Sequence, residues 1–417
     1  MKNSGGESAE VDKFIFGGSF SDNVDSFVVS GAVVQQQPDG TYSIVRDSAV
    51  DAVASIGNAG YAMLKDAIAA AKDNAVIVLL KDIPAAEGIT VASGKKFTID
   101  FNGHTYTLAG PGAGSPKTET NGFQLLKDST IVFKNGTINI APNAVNIKRI
   151  IQNYANLTLE NMRIEAKNQV GGEAYVLSFN NGNVVFKGNT TIVTTSGDTV
   201  AFDVCNYASY PNVSVTFDDS YTGTINGRIM YDGKSAETAK LEINGDGTFG
   251  GIDLEKRVTT GNSSFKPNIQ ITGGSFNESV IDYVAESLKY EVKSTNTFTY
   301  HPTLADAIAA ATDPNAVITA VKSDGETSEA SKDTLTLDYD YDGKLTVIKV
   351  PAGEEIGLPV PENRSGYTFN GWYNGADKVT AYTGSANGNA AVTITAKWTK
   401  NSSSSGGVIV TDHTLTF

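Results

Sequence analysis

The sequence predicts an all-β protein whose main body is a right-handed parallel β-helix, a solenoid closed by helical caps. Three observations predict it: a strand phrase that recurs, the near-constant step between its copies, and strict alternation inside each copy. The copies read Phe97-Thr-Ile-Asp-Phe-Asn102, Thr130-Ile-Val-Phe-Lys-Asn135, Leu157-Thr-Leu-Glu-Asn161 and Val184-Val-Phe-Lys-Gly188, then Val213-Ser-Val-Thr-Phe-Asp218, Lys240-Leu-Glu-Ile-Asn244 and Ile269-Gln-Ile-Thr-Gly273. The closing residues are 33, 26, 27, 30, 26 and 29 positions apart. Stacked turns keep such a step and tolerate insertions because loops grow outward. Alternation such as Ile131-Val-Phe133 sends every second side chain inward. Asn and Gly at the corner fit a left-handed backbone bend, and Asn residues on successive turns are placed to hydrogen-bond along the axis. An antiparallel sandwich also uses short strands and Asn-Gly turns. It does not call for one phrase at a step of 26–33 residues, and so ranks second.

The 417 residues are enough for two or three domains. With 46 acidic and 32 basic residues the net charge is -14, which argues against nucleic acid or an anionic membrane as a partner. The lone Cys205 rules out an internal disulfide framework, and its apolar setting reads as a buried thiol. No stretch reaches the roughly 18 apolar residues of a membrane span, and the polar start has no signal-peptide pattern. The chain reads as a piece of a longer exported protein.

A larger repeat supports that reading. Ile15-Phe-Gly-Gly-Ser-Phe20 returns as Ile271-Thr-Gly-Gly-Ser-Phe276, an offset of 256, and Asp66-Ala-Ile-Ala-Ala70 returns as Asp306-Ala-Ile-Ala-Ala310, an offset of 240. Asn74-Ala-Val-Ile77 reappears as Asn315-Ala-Val-Ile318. The expected division is a polar tail at 1–13, the end of a preceding module at 14–60, a capped β-helix at 61–300 and a partial second cap or connector at 301–332. A β domain at 333–399 and a Ser/Gly linker with a truncated strand at 400–417 complete it. Within 61–72, Leu64, Ile68 and Ala71 share a helical face suited to closing the open end of a solenoid. Residues 278–288 read as a short helix followed by a hairpin at the other end.

Two resemblances follow from the residues. The phrase Lys96-Phe-Thr-Ile-Asp-Phe-Asn-Gly-His-Thr-Tyr-Thr-Leu108 and the Gly-Gly-Ser-Phe ending resemble the pectin-lyase-like β-helices of large surface proteins in Gram-positive gut bacteria, over about residues 61–300. Leu335-Thr-Leu-Asp, Gly366-Tyr-Thr-Phe-Asn-Gly-Trp-Tyr373 and Thr393-Ile-Thr-Ala-Lys-Trp398 resemble a Listeria–Bacteroides repeat, the module related to internalin B repeats. That resemblance implies a small β-grasp-like sheet and an extracellular stalk or adhesive role. The hairpin tip Tyr339-Asp-Tyr-Asp-Gly343 departs from the usual Asn-Gly-Gly turn.

Candidate chemistry is sparse, and no cofactor or metal is expected. Asp338, Asp340 and Asp342 begin like a calcium loop, but Lys349 stands where the bidentate Glu is needed. His104, His301 and His413 have no partners at ligand spacing. A β-helix lyase or hydrolase needs carboxylates converging on one outer face. Its candidates are Asp198 with Asp203, Asp218 with Asp219, and Asp253 with Glu255, near Arg228 or Arg257. For ligand binding, Tyr207, Tyr210, Tyr221 and Tyr231 form an aromatic group of the kind that stacks on sugars, unless the rings merely cover the tube.

The reading is therefore a bacterial cell-surface fragment, adhesin-like or stalk-like, that contacts glycans or proteins of a host or neighbouring cell. The alternatives are a polysaccharide lyase or glycoside hydrolase, and a passive spacer.

Overall fold

A computed structural model of the chain describes residues 15, 17–28, 32–46, 52–168, 175–206, 210, 212–232, 239–255, 266–313, 315–321 and 331–402. It is all-β, with two seven-residue α-helices among the described residues: α1 (Leu64–Ala70) and α2 (Leu304–Ala310). Two compact units divide the chain at 283/284, ahead of the hairpin that the sequence reading placed in the first module.

The first unit is built on three columns of parallel strands, which the chain visits in turn. The first column runs through Ala75–Leu79, Lys96–Asp100, the start of Thr130–Ile140, the start of Asn156–Glu165, Gly182–Lys187, Val213–Phe217, Ala239–Ile243 and Ile269–Ile271. These are the strands of the recurring phrase. Its register stacks Ile77, Ile99, Phe133, Leu159, Phe186, Phe217, Ile243 and Ile271 in one fully buried row. In the second column Tyr106, Ile138, Ile164, Ile192, Ile225, Phe249 and Phe276 do the same. The third column stacks Phe123, Ile151, Leu177, Phe202, Ile229 and Ile252. Each buried side chain of this size stabilises by about 1.5–3 kcal/mol relative to exposure, so in-register stacking of like residues is the main cohesive device. Ring packing adds to it, as between Phe186 and Phe217 at 4.4 Å.

The corner from first to second column takes positive φ at Asn102, Asn135, Asn161 and Gly188, the residues closing the first four phrases. From Asp218 onward the corner changes, and neither Asp218 nor Asn244 takes that conformation. The axial side-chain ladder expected there stands mainly at the corner leading back to the first column. Gln152 donates to Asn180, Asn180 donates to the Cys205 carbonyl at 3.1 Å, and Asn153 donates to the Asn181 carbonyl at 3.2 Å. The longest step, 33 residues, contains the excursion at 109–120 between second and third columns.

The near end of the columns is capped as the helical face requires. A hairpin, Ala54–Ile56 with Ala59–Tyr61, leads into α1, which buries Leu64, Ala67 and Ile68, with Ala71 buried just beyond it. Ala75–Leu79 then pairs antiparallel with the hairpin and parallel with Lys96–Asp100. Lys95 Nζ donates to the carbonyls of Ala69 and Ala71, at 3.0 and 3.3 Å, placing a cation at the negative end of the helix. The 256-residue repeat is visible as structure: Ser19–Phe20 and a 3-10 turn at Asp25–Phe27 match Ser275–Phe276 and a 3-10 turn at Ile281–Tyr283. That single turn is all the helix formed within 278–288.

The second unit opens with the same cap: hairpin Tyr290–Lys293 with Phe298–His301, then α2, then Val317–Ala320. Thr303 caps α2, accepting from the Asp306 N–H at 3.1 Å. Here the closing strand pairs in parallel with Leu345–Pro351, the edge of a sheet that continues through Lys332–Asp338, Ala391–Lys400, Tyr367–Asn374 and Asp377–Val379. Leu304, Ala307 and Ile318 share one core with Leu335, Ile348, Trp372 and Ile394. The segment expected as a connector is thus an integral layer of this unit.

Candidate functional site

Of the four tyrosines expected to meet sugars, two are interior. Tyr221 and Tyr231 are fully buried, which corrects their assignment to a surface patch. The widened corner after Asp218 lets the Tyr221 ring fold inward among Phe186, Phe217 and Phe249. Gly247 admits it, since a Cβ there would lie 2.1 Å from the ring. Tyr231 donates to the Ala239 carbonyl at 2.8 Å and accepts from the Asn268 N–H at 3.1 Å. Burial raises both phenols above their ordinary range. Tyr210 is half-buried, its ring 4.7 Å from that of Tyr154. Tyr207 lies outside the described residues.

The carboxylates do not converge. Asp203 and Asp253 occupy one row of the third column, separated by Met230, and are therefore two rungs or roughly 10 Å apart. Asp203 is buried and accepts from the Phe179 N–H at 3.1 Å. Burial pushes its carboxyl up to about 6, against the pull of its hydrogen bonds from Ser178 and Phe179 and of Arg149. Asp253 and Glu278 are both engaged by Arg228, whose Nη2 lies 2.6 Å from Asp253 Oδ1 and 2.7 Å from Glu278 Oε1. Asp218 is held below the ordinary range although burial alone would raise it, because Ser220 and Lys187 hydrogen-bond to it. Asp198 and Asp219 are exposed, Glu255 is partly exposed, and Arg257 lies outside the described residues.

His104 Nδ1 is 3.1 Å from Asp82 Oδ1, His301 contacts Thr299, and His413 lies outside the described residues. Cys205 is buried. Among the described residues no group of three or more His, Cys, Asp or Glu is placed to hold a metal.

What the fold does assemble is a polar strip. On the outer face of the second column the register aligns Thr105, Thr137, Arg163 and Thr191 on successive rungs. Farther along, Thr224, Thr248 and Ser275 align in the same way. The Thr224 N–H donates to Thr191 Oγ1 at 3.4 Å, and the Ser275 and Thr248 hydroxyls are 3.3 Å apart. Beside this row runs the corner with Asn135, Asn161 and Asn189. Between the two lies a shallow groove of about 380 Å³, floored by Gly103 and Gly136 and edged by Thr137, Arg163 and Thr191. Asn161 Oδ1 accepts from the Asn189 N–H at 3.0 Å, and Arg163 donates to Glu165 at 2.6 Å. Hydroxyl, amide and guanidinium groups therefore repeat about every 4.8 Å along the column. The sequence carried a signal for this row, a Thr or Arg two or three residues after each corner Asn or Gly at 102, 135, 161 and 188.

Residues 335–397 match the family profile of the Listeria-Bacteroides repeat domain, a module typical of extracellular surface proteins. The match spans the sheet of the second unit from Lys332–Asp338 to Ala391–Lys400. Trp372 Nε1 donates to the Pro359 carbonyl at 2.6 Å, and Trp398 Nε1 to the Tyr339 carbonyl at 2.8 Å. The Arg364 guanidinium lies over Tyr341 and Tyr367, at 4.7 and 3.9 Å from the ring centroids. The aromatic motif is thus chiefly architectural. Among the described residues no helix is long and apolar enough to cross a membrane.

Proposed function

We propose that the chain belongs to a Gram-positive bacterial cell-surface protein, adhesin-like in action, whose strand columns form a right-handed parallel β-helix of the pectin-lyase-like kind. The polar strip of the second column is its contact surface, and the ligand is a glycan chain lying along it. The observation that carries this reading is the rung-by-rung repetition of Thr105, Thr137, Arg163 and Thr191 beside the corner asparagines. A glycan offers hydroxyls at a regular spacing, and a rigid ladder of donors and acceptors meets it without ordering loops. The repeat domain at 335–397 supports the extracellular setting. In this account no catalytic step is assigned: Arg228 neutralises Asp253 and Glu278, and Asp203 stands two rungs from Asp253.

The test is a glycan array probed with the intact chain, each hit being assayed for new reducing ends and unsaturated products. Binding without turnover is expected, weakened about tenfold or more by Arg163→Ala combined with Thr137→Val. Product release would transfer the function to the carboxylates of the third column. Silence on both readouts would leave a spacer.

A further inference from the structure

The chain uses its hairpin–helix–strand cap twice, and the two copies are completed differently. Ile77 and Ile318 occupy equivalent positions in the caps and pair with Ile99 and Ile348. Carried back along both partner strands, that register sets Phe97 against Thr346 and Lys95 against Lys344. Gly94 and Gly343, the preceding residues, both have positive φ, so a left-handed glycine enters the strand in each unit, although Asp342 before Gly343 is left-handed as well and Ser93 before Gly94 is not.

In the first unit Phe97 is buried beneath the cap and Lys95 closes the helix end through the carbonyls of Ala69 and Ala71. Among the described residues of the second unit neither filler is present. Thr346 stands in the place of the ring, and Lys344 turns to Glu362, Nζ to Oε2 at 3.0 Å, over the Tyr339 ring. The helix registers the loss. Ile68 and Ala71 of the first cap are buried, while their counterparts Ile308 and Ala311 are half-exposed. They line a groove of about 620 Å³ opposite Leu345 and Val360, which are 57 % and 81 % exposed. Pairing with Val317–Ala320 is made at Ile348 and Lys349, so Leu345, Thr346 and Val347 lie beyond it at the sheet edge.

We propose that this groove is a docking site for an extended segment of another protein that carries a lysine close to an aromatic side chain. The aromatic ring enters the space that Phe97 fills in the first unit, against Ile308 and Ala311. The lysine meets the carbonyl end of α2, as Lys95 meets that of α1. Charge favours a basic occupant. Lys344, the one cation among the described residues that line the groove, is committed to Glu362, whereas the helix end and Asp313 present negative charge. Apolar walls beside an exposed strand edge suit a peptide chain, which adds main-chain hydrogen bonds to side-chain burial. The site is independent of the glycan strip, which lies in the other unit.

The test is a fluorescence-anisotropy titration of the intact chain against a labelled peptide copying residues 93–101, Ser-Gly-Lys-Lys-Phe-Thr-Ile-Asp-Phe. Saturable binding is expected, weakened about tenfold or more when the peptide carries Phe97→Ala. The Thr346→Phe chain, which supplies the ring in cis, is expected to bind just as poorly while melting no lower than the wild type. No saturation up to millimolar chain, or equal binding by Thr346→Phe, would overturn the proposal. Sedimentation of the wild type as a dimer, with Thr346→Phe monomeric, would assign the groove to a second copy and overturn it too.

Discussion

Asp203 shows how one residue sets a pH response in a wall of apolar stacks. Its row neighbours are Ser178 and Met230, so its carboxylate is buried with few partners. The folded-state carboxyl, pushed up to about 6 by burial, binds its proton more tightly than an unfolded Asp near 3.9. Below about pH 4 both states are protonated and the residue costs nothing. Between about pH 4 and 6 the unfolded chain ionises first, and above that window the fold carries a buried charge. Asp203→Asn keeps an oxygen to accept the Phe179 N–H and removes the charge. It should stabilise the first unit by about 2 kcal/mol at pH 7 and leave it nearly unchanged at pH 4, read from chemical denaturation at the two pH values. A larger gain at pH 4 than at pH 7 would contradict this assignment.

At the scale of elements, Asp333 works in the opposite sense. This fully buried residue of Lys332–Asp338 accepts from Ser385 N, Ser385 Oγ, the Tyr382 hydroxyl and Ala390 N, all within 2.7 Å. Burial alone would raise its carboxyl, but those four donors outweigh it and hold it well below the carboxylate range. They also fasten the segment around 382–390 to the first strand of the repeat sheet. Burial, with Asp333 nearby, pushes Tyr382 up to about 12, so it remains a donor at neutral pH. Because the folded pKa is depressed, the stabilisation is complete above the unfolded value near 3.9 and fades as pH falls through the folded one. Asp333→Asn should cost the second unit about 2–4 kcal/mol at pH 7 in thermal or denaturant melts, and much less near pH 2. An equal cost at both pH values would point to lost packing instead of lost charge.

For the whole molecule, legibility in the sequence follows physical range. The first-column strands, the Asn and Gly corners and the face of α1 were legible because each rests on a period of two, one backbone conformation or a helical turn. The second helix was legible through the returning Asp-Ala-Ile-Ala-Ala pattern, but the hairpin Tyr290–Lys293 with Phe298–His301 was read into the preceding module, and the union of this cap with the repeat sheet depends on side chains that meet only after folding. Tyr221 misled because a loop tyrosine looks alike whether its ring faces solvent or the space left by Gly247 on the next rung. Tyr231 misled because it ends a strand with its hydroxyl held by the Ala239 carbonyl and the Asn268 N–H, partners farther along the chain. The Thr–Arg strip went unread because its members are 26–32 residues apart and become neighbours only through strand register. The Lys95–Lys344 equivalence is harder still, since the helix end meets the lysine in one copy and not in the other.

The central claim is that the outer face of the second column is where this molecule touches its ligand, and hydrogen–deuterium exchange with a bound glycan tests it most directly. The expected result is protection in the strands Thr130–Ile140, Asn156–Glu165 and Thr191–Val193, with little change in the second unit. Protection confined to the second unit, or to the third-column strands around Asp203 and Asp253, would contradict the account.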